Sequence, residues 1–423
     1  MKSSEHLAIA FDVGTTTIAA SLLDRGAGKR LAVAGALNPQ REFGADVVSR
    51  LDAACTLPEN LKRMALLING ELERLARELL AAAGASVRSL AAIGVAGNPA
   101  MEHFILEFPV KSLAFPPYRP LFTAGKAVRT TALGWETAVD AFLFPLPGGF
   151  VGGDLVAFLY GCEAACNTQH AARLYLDMGT NGEIALATET GIYATSAAAG
   201  PAFEGGNLEC GMAALPGAIS QVIIDNDTVK TSVISGEAPL GICGSGVIEA
   251  VAGLLRTGVL ESTGRLRSPV EIPSNLANRL TTRAGEAAFV LYRDARREVC
   301  LTQQDIRQVQ LAKAAIRAGM EVLFERARIH CETLEKAVLT GSFGSRLALE
   351  GLKNVGIFPE KMVEICGFVR DGALAGVERA LCTPRGFEAV DRLAASIRVV
   401  PLSGTPAFEK HFLEFMNFPK PEI

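Results

Sequence analysis

Asp12-Val13-Gly14-Thr15-Thr16-Thr17 stands near the start of the chain, and Asp177-Met178-Gly179-Thr180-Asn181-Gly182 stands in its middle. Each stretch follows an apolar run (Leu7 to Phe11, Leu174 to Leu176) and precedes another (Ile18 to Leu23, Ile184 to Ala187). Apolar run, short polar turn, apolar run is the pattern of a β-hairpin. The residues at the tip suit a phosphate. Glycine lets the backbone come close, N–H groups and threonine hydroxyls donate to the oxygens, and an aspartate holds a hydrated Mg²⁺ against them. A single such tip also describes an ordinary strand ending in an Asx-type turn. Its recurrence predicts two related halves that hold a nucleotide from opposite sides.

The chain has 423 residues, enough for two or three domains with ample core. Hydrophobic residues make up 49% and charged residues 20%, with 42 glycines, which fits an α/β enzyme rather than a disordered or fibrous chain. A net charge of −4 argues against nucleic acid as the main partner. Arg293, Arg296 and Arg297 are interleaved with Asp294 and Glu298 and read as a solvated turn. The first apolar stretch is interrupted by Asp12, and no uninterrupted apolar run approaches the ~20 residues of a spanning helix. The expectation is a soluble, cytoplasmic protein with no leader peptide and no membrane contact. None of the nine cysteines forms the C-x-x-C pairs of zinc ribbons or ferredoxins. Cys162 and Cys166 lie one helical turn apart, and a pair of small buried residues is favoured over two thiolate ligands.

Pro58 to Ala83 has apolar residues at helical spacing and ends at Gly84. A strand over Leu90 to Val95 leads to Gly97-Asn98-Pro99, and Phe115 to Pro120 is too proline-rich for regular structure. Gly152-Gly153-Asp154 opens an apolar helix ending near Gly161, and the polar segment Glu163 to His170 marks a boundary. Further on, Gly244-Ser245-Gly246 runs into a helix over Val247 to Leu255. A long helix spans Asp305 to Ala327, with Gln304 or Asp305 as N-cap. The strand Lys336 to Leu339 ends in Thr340-Gly341-Ser342-Phe343-Gly344-Ser345, and Asp371 opens an alanine-rich helix to Leu381. Strands alternating with helices predict an α/β fold of two lobes, 1–165 and 166–423, with a C-terminal segment packing back on the first lobe.

This ordered set resembles the actin, sugar-kinase and heat-shock-chaperone ATPase superfamily. Its phosphate hairpins match Asp12 to Thr17 and Asp177 to Gly182, and its connecting helices match those opened by Asp154 and Asp371. Its adenosine loop matches Leu339 to Gly344. In detail the wording is similar to the ATP-dependent reductive activators of corrinoid proteins. That likeness rests on Gly97-Asn98 with Met101 and His103, Leu176 to Glu183, Gly200-Pro201-Ala202-Phe203-Glu204-Gly205, Gly241 to Gly246, and Gln310 to Arg317. It covers essentially the whole chain. The resemblance implies an actin-like fold of ribonuclease-H-like mixed sheets with a nucleotide cleft between its lobes. It also implies an ATPase that helps return an inactivated corrinoid from Co(II) to Co(I), and a homodimer. Members of that family usually carry an iron–sulfur module. No cysteine-rich segment stands here, so the expectation is no cluster in this chain and a separate ferredoxin-like electron donor.

On this reading ATP and Mg²⁺ are the cofactors. Gly14, Thr15, Thr16 and Thr17 face Gly179, Thr180, Asn181 and Gly182 across the β- and γ-phosphates, and Asp12 and Asp177 hold Mg²⁺ through its waters. Asp154 orients the attacking water, caps its helix, or does both. Gly341, Ser342, Phe343 and Gly344 pass beneath the adenine and ribose. Lys313 and Arg317, four apart, reach the nucleoside from one helix face or simply form a solvated one. Gly244-Ser245-Gly246 is either an anion-binding helix start or close helix–sheet packing, and packing is preferred. Glu204 reads as a turn residue and His103 as a hydrogen-bonded structural residue. Cys210 and Cys243 are conceivable ligands of a cluster shared between subunits. Two other functions stay open: a small-molecule kinase of the same superfamily with Asp154 as base, and a nucleotide-gated binding module.

Overall fold

A computed structural model describes residues 6–163, 171–225, 227–236, 238–341 and 349–420. The chain opens with the strands β1 (Leu7–Val13), β2 (Thr17–Asp24) and β3 (Lys29–Leu37). Helices α1 (Val47–Thr56) and α2 (Pro58–Ala82) follow. Of the apolar residues of α2 at helical spacing, Ile68, Leu72, Leu75 and Leu79 are buried, Leu61 is half-buried, and Leu66 faces solvent. Next come β4 (Leu90–Gly97), α3 (Pro99–Ile105), α4 (Lys111–Ala114), β5 (Lys126–Arg129), β6 (Asp140–Leu143) and α5 (Gly153–Gly161). These strands form one sheet in the order β3-β2-β1-β4-β6-β5, with β1 antiparallel to β2 and parallel to β4.

The second half repeats the plan. Strands β7 (Ala172–Met178), β8 (Asn181–Thr188) and β9 (Gly191–Ala198) come first. Then follow β10 (Ala218–Ile224), β11 (Val229–Val233), β12 (Gly241–Ile242), α6 (Gly244–Arg256), β13 (Leu280–Arg283), β14 (Glu286–Arg293), β15 (Glu298–Thr302) and α7 (Gln303–Ala327). The chain continues through β16 (Leu334–Gly341), α8 (Leu349–Asn354), α9 (Glu360–Ile365), β17 (Cys366–Phe368), α10 (Gly372–Cys382), α11 (Gly386–Ser396), β18 (Ile397–Val399) and α12 (Pro406–Glu414). The second large sheet has the order β17-β16-β7-β8-β9-β18, with β16 parallel to β7. Two compact units result: Met1–His170 with Ala187–Ala194 and Asp371–Val400, and Ala171–Leu186 with Thr195–Arg370 and Pro401–Ile423.

The two sheets share a register. Val13 pairs with Gly97 on the parallel neighbour of β1, and Met178 pairs with Gly341 on the parallel neighbour of β7. A Cβ on Gly97 would lie 2.9 Å from the Val13 carbonyl oxygen, and one on Gly341 would lie 2.5 Å from that of Met178. Both positions exclude any side chain, and Gly341 also has φ +115°, where glycine alone is comfortable.

Three details differ from the sequence reading. The long helix begins at Gln303, two residues early, and its cap is Thr302. The Thr302 hydroxyl accepts from Asp305 N, and the Asp305 carboxylate accepts from Thr302 N at 2.9 Å. That reciprocal box satisfies two orphan amides, which neither Gln304 nor Asp305 achieves as N-cap. Strands β10–β12 and β13–β15 form two small three-stranded sheets that the sequence reading did not anticipate. Helix α6 begins at Gly244 rather than Val247; a Cβ on Gly244 would overlap the Phe203 carbonyl, and Ser245 Oγ donates to Ser220 O at 2.9 Å, which is the close packing preferred from the sequence. No helix among the described residues is long and apolar enough to cross a membrane.

Within the first unit α10 crosses α5 at glycines: a Cβ on Gly161 would lie a tight 3.1 Å from Gly376 Cα, and a Cβ on Gly376 would overlap the Ala157 carbonyl. Helix propensity alone favours Gly376→Ala by roughly 1 kcal/mol. Backbone overlap costs more, about 1–3 kcal/mol or above. The substitution is therefore expected to lower the urea midpoint; a raised midpoint would show that the crossing has slack.

Candidate functional site

In the first unit the tip closes on itself through Gly14 N, which donates to Thr17 O at 2.9 Å. This glycine shapes the turn, and its own amide is spent in doing so. Two asparagines hold the tip from behind. Asn38 Nδ2 donates to Gly14 O at 2.9 Å, and Asn98 Nδ2 donates to the buried Thr15 hydroxyl at 3.1 Å. Asn98 also caps α3, its Oδ1 accepting from Ala100 N and Met101 N at 3.1 Å each. Thr16 and Thr17 stay exposed, and Asp12 is half-buried at the end of β1.

A pair of acids lies beside this tip. Glu102, on α3, is fully buried; its Oε1 accepts from Gly97 N at 3.3 Å, and its Oε2 has no hydrogen-bond partner. A Cβ on Gly153 would overlap Glu102 Oε1, and one on Gly152 would lie 2.6 Å from Asn98 Cα. The two glycines thus let the start of α5 press against α3. Asp154 follows, its Oδ1 accepting from Leu155 N at 2.8 Å. Burial pushes the Glu102 carboxyl well above the carboxylate range, and the neighbouring Asp154 charge adds to this. Burial likewise pushes Asp154 up to about 6, although part of the residue's surface remains open. An ionised acid with an unpaired oxygen is costly in such a place, so burial favours the protonated form of Glu102.

The second unit repeats the first with different residues. Gly179 N donates to Asn181 O at 3.1 Å, so this glycine also spends its amide on the turn. Thr180 is buried and its hydroxyl donates to Glu204 Oε2. Glu204 closes the short turn Pro201–Glu204; it is a turn residue, as its loop suggested, and a partner of the hairpin as well. Asp177 is half-buried, in the same place on β7 that Asp12 takes on β1. A Cβ on Gly341 would lie 2.9 Å from Asp177 Oδ1. Ser342, Phe343 and Gly344 lie outside the described residues, as does Cys166.

Two further predicted residues make packing contacts. Gly182 packs against α7, where a Cβ would be 2.9 Å from Ile316 Cγ1. Lys313 is buried: its Nζ donates to Asn417 O and lies 5.3 Å from the Phe418 ring centroid. Burial, helped by Arg317, pushes its ammonium down to about 8. Arg317 pairs with Glu321 at 2.7 Å and stacks on Phe415 at 4.8 Å. This helix face is covered by the segment after α12 rather than solvated. His103 is satisfied at both nitrogens, with Pro99 O at 2.7 Å and Leu121 N at 3.0 Å. Among the described residues no group of three or more His, Cys, Asp or Glu side chains is arranged to hold a metal ion.

Asn38, Asn98 and Glu102 were not anticipated as site residues. Asn98-Pro99 is a recognisable helix start, but nothing in it signals a bond to Thr15. Glu102 reads as an ordinary first-turn acid on a short helix.

Residues 7–166 match the family described as the RACo middle region, and residues 171–423 match the C-terminal domain of RACo, the ASKHA domain. The chain is 33% identical over 360 residues to the corrinoid activation enzyme RamQ of Eubacterium limosum, covering 83% of this chain and 60% of that protein. It is 25% identical over 410 residues to the [Co(II) methylated amine-specific corrinoid protein] reductase of Methanosarcina barkeri, covering 85% and 67%. A solved structure titled reductive activator for corrinoid, iron–sulfur protein superposes with a TM-score of 0.89 at 28% identity, over 99% of this chain and 67% of that one. The fold is therefore of the actin-like ASKHA type. The chain spans about three fifths to two thirds of the length of these relatives.

The acid pair makes stability depend on pH in a defined direction. Both folded pKa values lie above the ordinary ones, so the folded state binds more protons, and the stability present at low pH is lost as pH rises through the folded values. For Asp154 that window runs from 3.8 to about 6. Glu102→Gln removes the Glu102 share. Its urea midpoint is expected to fall less steeply with rising pH than the wild type's. A variant weaker by more than about 2 kcal/mol at every pH would mean that Glu102 works as an ionised acceptor.

Proposed function

Because the chain belongs to the family defined by the RACo middle region and the RACo C-terminal ASKHA domain, we propose that it binds and hydrolyses Mg-ATP to assist reductive reactivation of a corrinoid protein. The substrate is the partner's cobalt, returned from Co(II) to Co(I) with an electron from a separate ferredoxin-like iron–sulfur donor. The observation that carries the nucleotide reading is the repeat: an aspartate at a strand end, a glycine-closed tip, a buried threonine and a glycine across the parallel neighbour, once in each unit. The names of the relatives carry the corrinoid reading.

We assign both tips to the phosphates. Gly14 and Gly179 shape the turns, while Thr15, Thr16, Thr17, Thr180 and Asn181 supply the amides and hydroxyls at each tip. Gly182 contributes through the backbone of β8. Asp12 and Asp177, both half-buried carboxylates at strand ends, would hold Mg²⁺ through its waters, and bound there it would offset phosphate charge. Asp154 fits a general base: its folded pKa of about 6 leaves it ionised at neutral pH yet basic enough to accept a proton from water. Gly341, with Ser342, Phe343 and Gly344, is assigned to the adenosine. Lys313 acts through the tail that covers it, by fixing the α7 surface.

The division into lobes, 1–165 and 166–423, follows the boundary between the two family matches, and the return of Asp371–Val400 to the first unit supports the C-terminal crossover. A homodimer and a cytoplasmic location complete the proposal on the strength of the family resemblance. Binding alone does not make an electron more reducing. For a one-electron couple ~59 mV corresponds to about 1.4 kcal/mol, so ATP must favour one conformation of the chain over another to contribute.

The test follows phosphate release from Mg-ATP, with and without a Co(II) corrinoid protein and a reduced ferredoxin, while the corrinoid spectrum reports Co(I). Stimulated hydrolysis together with Co(I) formation is expected. Hydrolysis without any response to the corrinoid protein would instead favour the kinase reading. Asp154→Asn is expected to lower turnover by roughly 10²–10⁴-fold with ATP affinity nearly unchanged. Equal loss of affinity and turnover would assign Asp154 to the fold.

A further inference from the structure

Cys210 and Cys300 lie in the second unit, distant in sequence, with their sulfurs 3.9 Å apart. Cys300 sits in the middle of β15, paired with Val290 and fully buried. Cys210 is half-buried in the connection between the Pro201–Glu204 turn and β10. The contact is specific: Cys300 N donates to Cys210 Sγ at 3.5 Å, and Cys210 Sγ also lies 3.9 Å from Glu298 O. Arg283 stands by, pairing with Glu209 at 3.1 Å and Glu298 at 3.4 Å, the neighbours of each cysteine's segment. A disulfide needs the sulfurs at about 2.05 Å, a movement within reach of side-chain rotation and a small shift of a connecting segment.

The two thiols differ in a way that suits sequential reaction. The hydrogen bond from Cys300 and the Arg283 charge hold Cys210 low, at about 6, against the opposing effect of burial. Cys300 is pushed far up, first by the bond to Cys210 and then by burial. A thiolate is the attacking species in disulfide exchange, so the accessible member is also the nucleophilic one. Once Cys210 is capped, its charge no longer opposes ionisation of Cys300.

We propose that Cys210 and Cys300 are a thiol–disulfide pair, Cys210 attacking and Cys300 resolving, with a small-molecule disulfide as oxidant. The Cys210 sulfur attacks one sulfur of the oxidant, forming a mixed disulfide and breaking the oxidant's S–S bond, which releases one thiolate. Cys300 then gives its proton to solvent and attacks the Cys210 sulfur, releasing the second thiolate. Two cysteine thiols are oxidised, and one disulfide is reduced to two thiols. The new bond ties the segment following Glu204 to β15, which leads through Thr302 into α7. The pair stands whether or not the chain hydrolyses ATP.

The full-length reduced chain is incubated with oxidised glutathione, quenched with acid, alkylated and mapped by mass spectrometry. A Cys210–Cys300 cross-linked peptide lacking two hydrogens is expected, forming faster than glutathione adds to the exposed Cys55, whose thiol burial pushes up. In Cys300→Ser a glutathione adduct should persist on Cys210. In Cys210→Ser, Cys300 should remain a free thiol. A lasting Cys210 adduct in the wild-type chain, or no reaction at Cys210 while Cys55 is modified, would overturn the proposal. Both serine variants are checked for wild-type circular dichroism first; if one misfolds, the wild-type map still decides.

Discussion

The structure depends on one close approach made twice. A strand ends in an aspartate and one further residue, and the carbonyl of that residue lies against a glycine on the parallel neighbour: Val13 against Gly97, and Met178 against Gly341. No side chain fits at either glycine. In the first unit β4 can therefore stop beside the hairpin, bringing a second segment next to it. That segment is Asn98, which reaches Thr15. In the second, the glycine lies directly against the Asp177 carboxylate. Large apolar side chains bury the sheets, but these two glycines decide what the sheets present at their ends.

Around the first hairpin, polarity is arranged in depth. Asn38 and Asn98 satisfy the tip from behind, and Glu102 takes the amide of Gly97. Asp154 comes last, at the start of a helix that two glycines allow to press inward. Burial favours the protonated form of Glu102 and raises Asp154 to about 6, so both shifts act to keep the local charge small. In the second unit Glu204 takes the corresponding place as an acceptor from Thr180. The two units therefore share geometry without sharing chemistry.

Much of this was legible in the chain because hairpins, helix starts and glycine-bearing turns are local. Asp12-Val13-Gly14-Thr15-Thr16-Thr17 and its second copy carry their own fold signal, and α2 shows its buried stripe at a spacing that needs no partner. Contacts between residues remote in sequence were not legible. Nothing in the sequence ties Thr15 to Asn98, places Glu102 against Gly153, or draws Asn417 onto Lys313. Lys313 shows the limit best: its spacing from Arg317 suggested a ligand face, and the tail that covers it lies over a hundred residues away. The small sheets β10–β12 and β13–β15 were likewise not anticipated.

The central proposal is that the Asp12–Thr17 hairpin and the Asp177–Gly182 hairpin each respond to Mg-ATP. Amide hydrogen exchange of the chain, read by mass spectrometry with and without Mg-ATP, tests it directly. Peptides containing residues 12–17 and 177–182 should both gain protection, and EDTA should remove the gain from both. Protection confined to one hairpin, or absent from both at saturating Mg-ATP, would contradict the account.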